Sequence, residues 1–112
     1  MNPAKVSIIM LTYNRPQYID RAIESVLAQD FQDWSLLVVH DGANNRIAAL
    51  MESWQRRDSR IQYLPRPKGG NIANATNYGL ARAQGEYIAI LDDDDYWPAT
   101  NKLSRQVEFL DQ

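Results

Sequence analysis

Ile88-Ala89-Ile90-Leu91-Asp92-Asp93-Asp94-Asp95-Tyr96-Trp97-Pro98 is an apolar run of strand length that stops at four consecutive carboxylates. Neighbouring carboxylates repel, by about 1 kcal/mol per pair at ~4 Å in water and by more in less polar surroundings. A chain that places four of them at the end of a buried strand holds something positive there. Hard divalent cations prefer such oxygen ligands. The stretch therefore reads as a metal site that gathers the phosphates of a bound nucleotide. The competing reading is a solvated acidic turn that caps the next helix.

Working outward, the same pattern recurs. Residues 6–11, Val-Ser-Ile-Ile-Met-Leu, form an apolar, β-branched run without clean alternation, as expected of a strand buried on both faces. Thr12-Tyr13-Asn14-Arg15 interrupts it, and Pro16 suits a helix first turn. Ile19, Ala22, Ile23, Val26 and Leu27 then fall on one helical face, which predicts a helix over 16–29. A second strand is expected over 34–39, ending at His40-Asp41-Gly42, and a second helix carries Ile47, Leu50, Met51 and Trp54 to about Arg57. A short third strand is expected over 61–64, then a Pro/Gly-rich loop. The third helix, over 71–83, is expected to turn Ala73, Thr76, Leu80 and Ala83 to the sheet. The fourth strand covers 86–91, and Pro98 is expected to open a last helix with Leu103, Val107 and Leu110 inward.

Strands alternating with helices predict an α/β fold: a three-layer α/β/α sandwich with a mainly parallel, Rossmann-like sheet. In such sheets ligands bind beyond the carboxyl ends of the strands. Three polar clusters fall at three such ends: Thr12-Tyr13-Asn14, Asp41-Gly42 and residues 92–95. Alternation along an extended chain sends Asp92 and Asp94 to one side and Asp93 and Asp95 to the other. Asp41 suits acceptance of a ring N–H from a base, and Tyr13 offers a face for stacking. Bland roles compete: a turn or cap for Asp41, core packing for Tyr13, helix capping for Asn14, solvation for Arg66 and Lys68.

Composition narrows the classes. With 112 residues the chain makes one domain, 1–112. The composition, 45% hydrophobic and 23% charged, is that of an ordinary globular protein. The net charge of -2 carries no basic excess for nucleic acid. Residues 92–95 supply four of the fourteen acids, and without them the twelve Lys and Arg would outnumber the acids. The absence of cysteine excludes disulfides and thiolate chemistry, and a single histidine leaves no triad. No apolar run approaches the ~20 residues of a membrane span, and the first residues carry no signal-like core, so a cytoplasmic location is expected. No G-x-G-x-x-G or G-x-x-x-x-G-K-[ST] loop follows the first strand. A phosphoacceptor receiver domain would place an acidic pair where Leu11-Thr12-Tyr13 stands.

Residues 6–15, then Ile23-Glu24-Ser25-Val26-Leu27-Ala28-Gln29, Val39-His40-Asp41-Gly42, Ala75-Thr76-Asn77-Tyr78-Gly79-Leu80 and residues 85–95 together resemble the start of the family 2 glycosyltransferases of GT-A fold. The likeness runs from about Lys5 to the end of the chain. It implies an inverting, metal-dependent transfer from a nucleotide-diphosphate-sugar, a UDP-sugar above all. The implied acceptor is glycan or lipid-linked, as in cell-surface polysaccharide synthesis, reached in the cytoplasm or at the inner membrane surface. By this likeness Thr12 and Tyr13 line the base pocket and Asp41 meets the base N3–H. Asp93 meets the ribose or donor, Asp92 and Asp94 hold Mn2+ or Mg2+ in a D-x-D motif, and Asp95 extends the cluster.

The chain departs from the family pattern in three places. His40 stands where many members have an aspartate, and Thr76 where many have an arginine, which shifts phosphate neutralisation toward the metal and Lys68. The acceptor-binding half, with its carboxylate general base, is expected outside these residues, so no catalytic base is assigned. An exposed sheet edge would then invite self-association. Alternatives are a non-catalytic nucleotide- or partner-binding module of the same fold, and a nucleotidyltransferase, which would want a Gly- and Arg-rich loop after the first strand.

Overall fold

The computed structural model describes residues 3–12, 16–41, 45–66 and 72–112, with the backbone alone at Asp41 and at 72–74. Four strands and four helices alternate: β1 (Val6–Thr12), α1 (Pro16–Leu27), β2 (Trp34–Asp41), α2 (Asn45–Arg57), β3 (Ile61–Arg66), α3 (Ile72–Arg82), β4 (Tyr87–Asp92) and α4 (Lys102–Leu110). All strand pairs are parallel, in the order β3-β2-β1-β4. The α/β/α sandwich is thus as expected, with an entirely parallel sheet.

The order follows from chain direction. The path β1 to β2 to β3 steps one way, and right-handed crossovers put α1 and α2 on one face. The return past β1 to β4 puts α3 on the other. The two faces have separate cores. Val6, Ile8, Met10, Trp34, Leu36, Val38 and Leu91 meet α1, α2 and α4 through Ile19, Ile23, Val26, Ile47, Met51, Trp54, Leu103 and Val107. Ile9, Leu11 and Val39 meet Ala75 of α3. Both faces of β1 are therefore covered, and all seven of its residues are buried, which is why its sequence does not alternate.

Three helical expectations need correction. Where side chains are described, the residues toward the sheet are Ala75 and Gly79, with Ala83 packed beside them as expected, while Leu80 is 43% exposed. A side chain on Gly79 would come within 2.9 Å of Ile9 Cγ2, so the helix sits down through its smallest residues and turns Leu80 outward. Helix α4 begins at Lys102 rather than at Pro98. The intervening chain is held irregular by α1, as described below. Leu110 is 52% exposed, not inward, whereas Leu103 and Val107 are buried as expected. The first three strands run one or two residues longer than read, and β4 keeps its length but is shifted by one residue, from 86–91 to Tyr87–Asp92. β3 extends through Pro65, which an edge strand tolerates because the missing N–H can face away from the ladder.

The opposite edge is β4, where Ile88 and Ile90 are exposed on the α3 side. At its start Lys5, Tyr87 and Asp111 tie β1 and β4 to the end of α4. The Lys5 ammonium lies 2.7 Å from Asp111 and holds its carboxyl below the ordinary range. Asp111 in turn raises Lys5 and, accepting from the phenol, pushes Tyr87 up to about 12 from 10.0. The Tyr87 contribution is therefore complete below pH 10.0 and fades as pH climbs toward 12. In an ultraviolet titration of the six tyrosines, Asp111→Asn is expected to bring a phenol titrating near pH 12 back toward 10. An unchanged titration would mean that this bond does not hold in solution.

Candidate functional site

The strand order reverses between β1 and β4, since β1 leads to β2 on one side and β4 is reached from the other. That reversal is the topological switch point where an open parallel sheet has its crevice. Thr12 ends β1 there, and Asp92 ends β4, with Leu11 and Asp92 as register partners. One further ladder bond, Asp93 N–H to Leu11 C=O at 3.2 Å, carries the pairing into the turn. The Thr12 hydroxyl then donates to Asp93 Oδ2 at 2.8 Å. Thr12 is 1% exposed and Asp93 fully enclosed. A buried carboxylate is costly unless hydrogen-bonded, and a charge-assisted bond of this kind contributes about 1.5–3 kcal/mol.

The four carboxylates therefore part company. Asp93 turns inward to Thr12, while Asp92, Asp94 and Asp95 are exposed. The expected alternation holds for Asp92 against Asp93 and fails for Asp95. The chain leaves the strand at Asp92 and turns, with Asp95 N–H bonded to Asp92 C=O at 3.1 Å. Asp95 Oδ1 accepts the next N–H, from Tyr96, at 2.8 Å, a local turn contact.

Among the described residues no three His, Cys, Asp or Glu side chains converge on one point, so the protein alone does not cage an ion. Two exposed oxygen donors, Asp92 and Asp94, on one tight turn still fit Mg2+ or Mn2+, which bind through one or two carboxylates plus waters and phosphate oxygens.

Of the other expected residues, the Asp41 backbone and His40 lie at the same end of the sheet. The Asp41 backbone closes β2 in register with Arg66 of β3, while its side chain lies outside the described residues, as do Tyr13, Asn14 and Lys68. His40, the departure from the family pattern, is fully buried, and its Nδ1 shares a hydrogen bond of 2.6 Å with the Tyr63 hydroxyl. Burial pushes the Tyr63 phenol up, so it stays protonated across the physiological range. His40 is absorbed into the core of β2 and β3 and carries no surface chemistry.

Helix α1 contributes residues that its amphipathic pattern did not single out. Arg21 Nη2 donates to Asp94 C=O at 3.2 Å, and its guanidinium lies 4.4 Å from the centre of the Tyr96 ring. Ser25 Oγ accepts the Trp97 N–H at 3.1 Å. Gln29, just past the helix end and 2% exposed, bridges two groups. Its amide donates to Ala99 C=O at 2.7 Å, and its Oε1 accepts the Leu103 N–H at 3.0 Å. Gln29 thus satisfies an N–H of the first turn of α4, where Asn101 makes no side-chain cap. These bonds hold residues 94–101 against α1 and delay α4 to Lys102. The spacing 21, 25, 29 flanks the apolar stripe at one helical repeat, which is the signal that marks it.

The model of the family described as Glycosyl transferase family 2 matches residues 7–112. The chain belongs to this family. It is 41% identical over 112 residues to the Escherichia coli UDP-Glc:alpha-D-GlcNAc-diphosphoundecaprenol beta-1,3-glucosyltransferase WfgD, covering 98% of this chain and 42% of that protein. Among solved structures it superposes on S. aureus TarS 1-349 in complex with UDP-GlcNAc with a TM-score of 0.86 at 26% identity, over 96% of this chain and 31% of that one. The fold is shared as well with the Pyrobaculum calidifontis mannosyltransferase PcManGT in complex with GDP-Man and Mn2+. There the TM-score is 0.83 at 24% identity, over 99% of this chain and 34% of that one. The chain spans less than half the length of the curated relatives it matches. Both solved structures are GT-A transferases, so the fold expected from the resemblance is the fold found. Among the described residues no helix is long and apolar enough to cross a membrane.

Proposed function

We propose that this chain is the donor-binding part of a metal-dependent, inverting glycosyltransferase that takes its sugar from a nucleotide-diphosphate-sugar, a UDP-sugar first of all. The observation that carries the reading is the junction of Thr12 and Asp93 across the β1–β4 switch point, with Asp92 and Asp94 exposed beside it. Family membership and likeness to a UDP-GlcNAc complex support the same reading.

In this proposal Tyr13 and Asp41 receive the base, Asp41 accepting its ring N–H. Thr12 fixes Asp93 beneath the ribose rather than touching the base through its hydroxyl, which is already given to Asp93. Enclosed as it is, Asp93 reaches a ribose only after the turn shifts, whereas Asp92 and Asp94 are exposed. These two would hold Mn2+ or Mg2+. When bound, the metal neutralises charge on the departing diphosphate. The general base that takes the proton from the attacking hydroxyl is assigned to an acceptor-binding half, not to any residue here. A glycan or lipid-linked acceptor in cell-surface polysaccharide synthesis, reached in the cytoplasm or at the inner membrane face, fits the reading, and the open β4 edge offers a surface for self-association.

Calorimetric titration with UDP, CDP, GDP and ADP, with and without Mn2+, tests the proposal. UDP is expected to bind best, and more tightly with the metal. Asp41→Asn is expected to weaken UDP about tenfold, as loss of one hydrogen bond to a charged acceptor should, and to flatten the preference among bases. Equal, metal-independent affinity for all four nucleotides would reject it.

A further inference from the structure

We propose that Arg21, Ser25 and Gln29 form a positioning rail that sets the carboxylate turn for the diphosphate end of the nucleotide; the inference rests on the donor-binding reading above. None of the three would touch the nucleotide. Each bonds the backbone of the segment that follows β4: Arg21 at Asp94, Ser25 at Trp97, Gln29 at Ala99 and Leu103. A second backbone bond, Asp30 N–H to Thr100 C=O at 2.8 Å, closes the same seam.

The physical argument is one of constraint. Residues 95–99 have no regular secondary structure, so no ladder or helix defines the path of the chain beyond Asp94. Two carboxylates that share a cation with phosphate oxygens must hold a narrow geometry, and outer partners that orient such groups typically matter by 10–100-fold in affinity. Here the outer partner acts on Asp94 at its own carbonyl. Arg21 grips it with a planar donor while stacking on Tyr96, two residues on. Lysine cannot reproduce both contacts at once. Gln29 anchors the far end of the segment from a buried position, and Ser25 the middle. The described residues of β1 and β2, at the base end of the proposed pocket, take part in none of these contacts. The rail should therefore influence diphosphate and metal without influencing the nucleoside.

The test uses Arg21→Met, Arg21→Lys and Ser25→Ala, substitutions at exposed or half-buried positions that leave the buried Gln29 in place. Affinities for UDP with Mn2+ and for uridine are measured by titration, with amide hydrogen exchange read over residues 93–103. All three variants are expected to weaken UDP with Mn2+ about tenfold, to keep uridine affinity within about twofold, and to speed exchange in that segment at an unchanged melting temperature. Ser25→Ala alters no charge, so its loss separates positioning from bulk attraction. Wild-type affinity in Arg21→Lys and Ser25→Ala would reduce the role of Arg21 to its charge and overturn the rail. Equal weakening of uridine and UDP would mark a merely structural effect and also overturn it. Wild-type protein that ignores Mn2+ with UDP would instead sink the donor-binding reading and the rail with it.

Discussion

Gly85→Ala is expected to destabilise the fold by about 3 kcal/mol, the upper end of the range for overpacking a buried site. Gly85 lies between α3 and β4, and its N–H donates to Ser7 Oγ at 2.8 Å. A Cβ there would stand 2.6 Å from the Ser7 backbone nitrogen, 2.8 Å from Ser7 Oγ and 2.9 Å from Lys5 C=O. Two of these three are main-chain atoms. Ser7 lies in β1 and Lys5 immediately precedes it, and β1 is paired on both sides, so relief requires moving the centre of the sheet. Gly79→Ala makes the contrast. Its Cβ would meet side-chain methyls instead, Ile9 Cγ2 at 2.9 Å and Val39 Cγ2 at 3.1 Å, on buried β-branched side chains that shift only together with their own packing. Alanine also regains about 1 kcal/mol of helix propensity, which offsets part of an overpacking cost of about 1–3 kcal/mol, so Gly79→Ala is expected to destabilise less than Gly85→Ala. Urea unfolding measures both. A Gly85→Ala midpoint within the error of wild type would show that β1 gives way more easily than its pairing implies.

Asp94→Asn is expected to remove the metal-dependent part of UDP affinity, about tenfold or more, without loss of stability. Asp94 is exposed and the amide matches the carboxylate in size, so little change in stability is expected. What changes is an anionic oxygen donor for a neutral one, at one of the two carboxylates proposed to share the cation with phosphate. Hard cations discriminate strongly by ligand charge. Asp95→Asn is expected to act within about twofold, because Asp95 is spent on its local Tyr96 contact. Titration of UDP with and without Mn2+ across wild type and the two variants reads this out. Chelation of the metal should bring wild type down to the Asp94→Asn level. Equal losses in Asp94→Asn and Asp95→Asn would mean that the cluster attracts cations by general charge rather than through defined ligands.

Much of the architecture was legible because it depends on short-range periodicity. The unbroken apolar run in β1, the one-sided stripe of α1 and the Gly- and Pro-marked breaks are consequences of backbone geometry acting over a few residues. They led directly to an alternating chain and hence to a parallel sheet, and the resemblance of the ordered motifs led to the family. The helices were less legible where neighbours decided their limits. Pro98 is a good helix opener by local rules, yet α4 waits until Lys102 because Gln29 takes both the Ala99 C=O and the Leu103 N–H, and Asp30 N–H takes the Thr100 C=O. Leu80 is a better core residue than Gly79 by hydrophobicity, yet the close approach of α3 to Ile9 and Val39 selects the glycine.

The alternation of strands and helices, and the gathering of polar residues at strand ends, follow from local pattern and chain direction. Which strand ends meet depends on long-range packing. It placed β4 beside β1, so Thr12 reaches Asp93 across 81 positions of sequence and takes one of four adjacent carboxylates out of solvent. It also laid the turn that carries Asp94 against Arg21. No periodicity encodes such pairings, because they arise from the order in which crossovers return to the sheet and from which buried polar groups must then be satisfied.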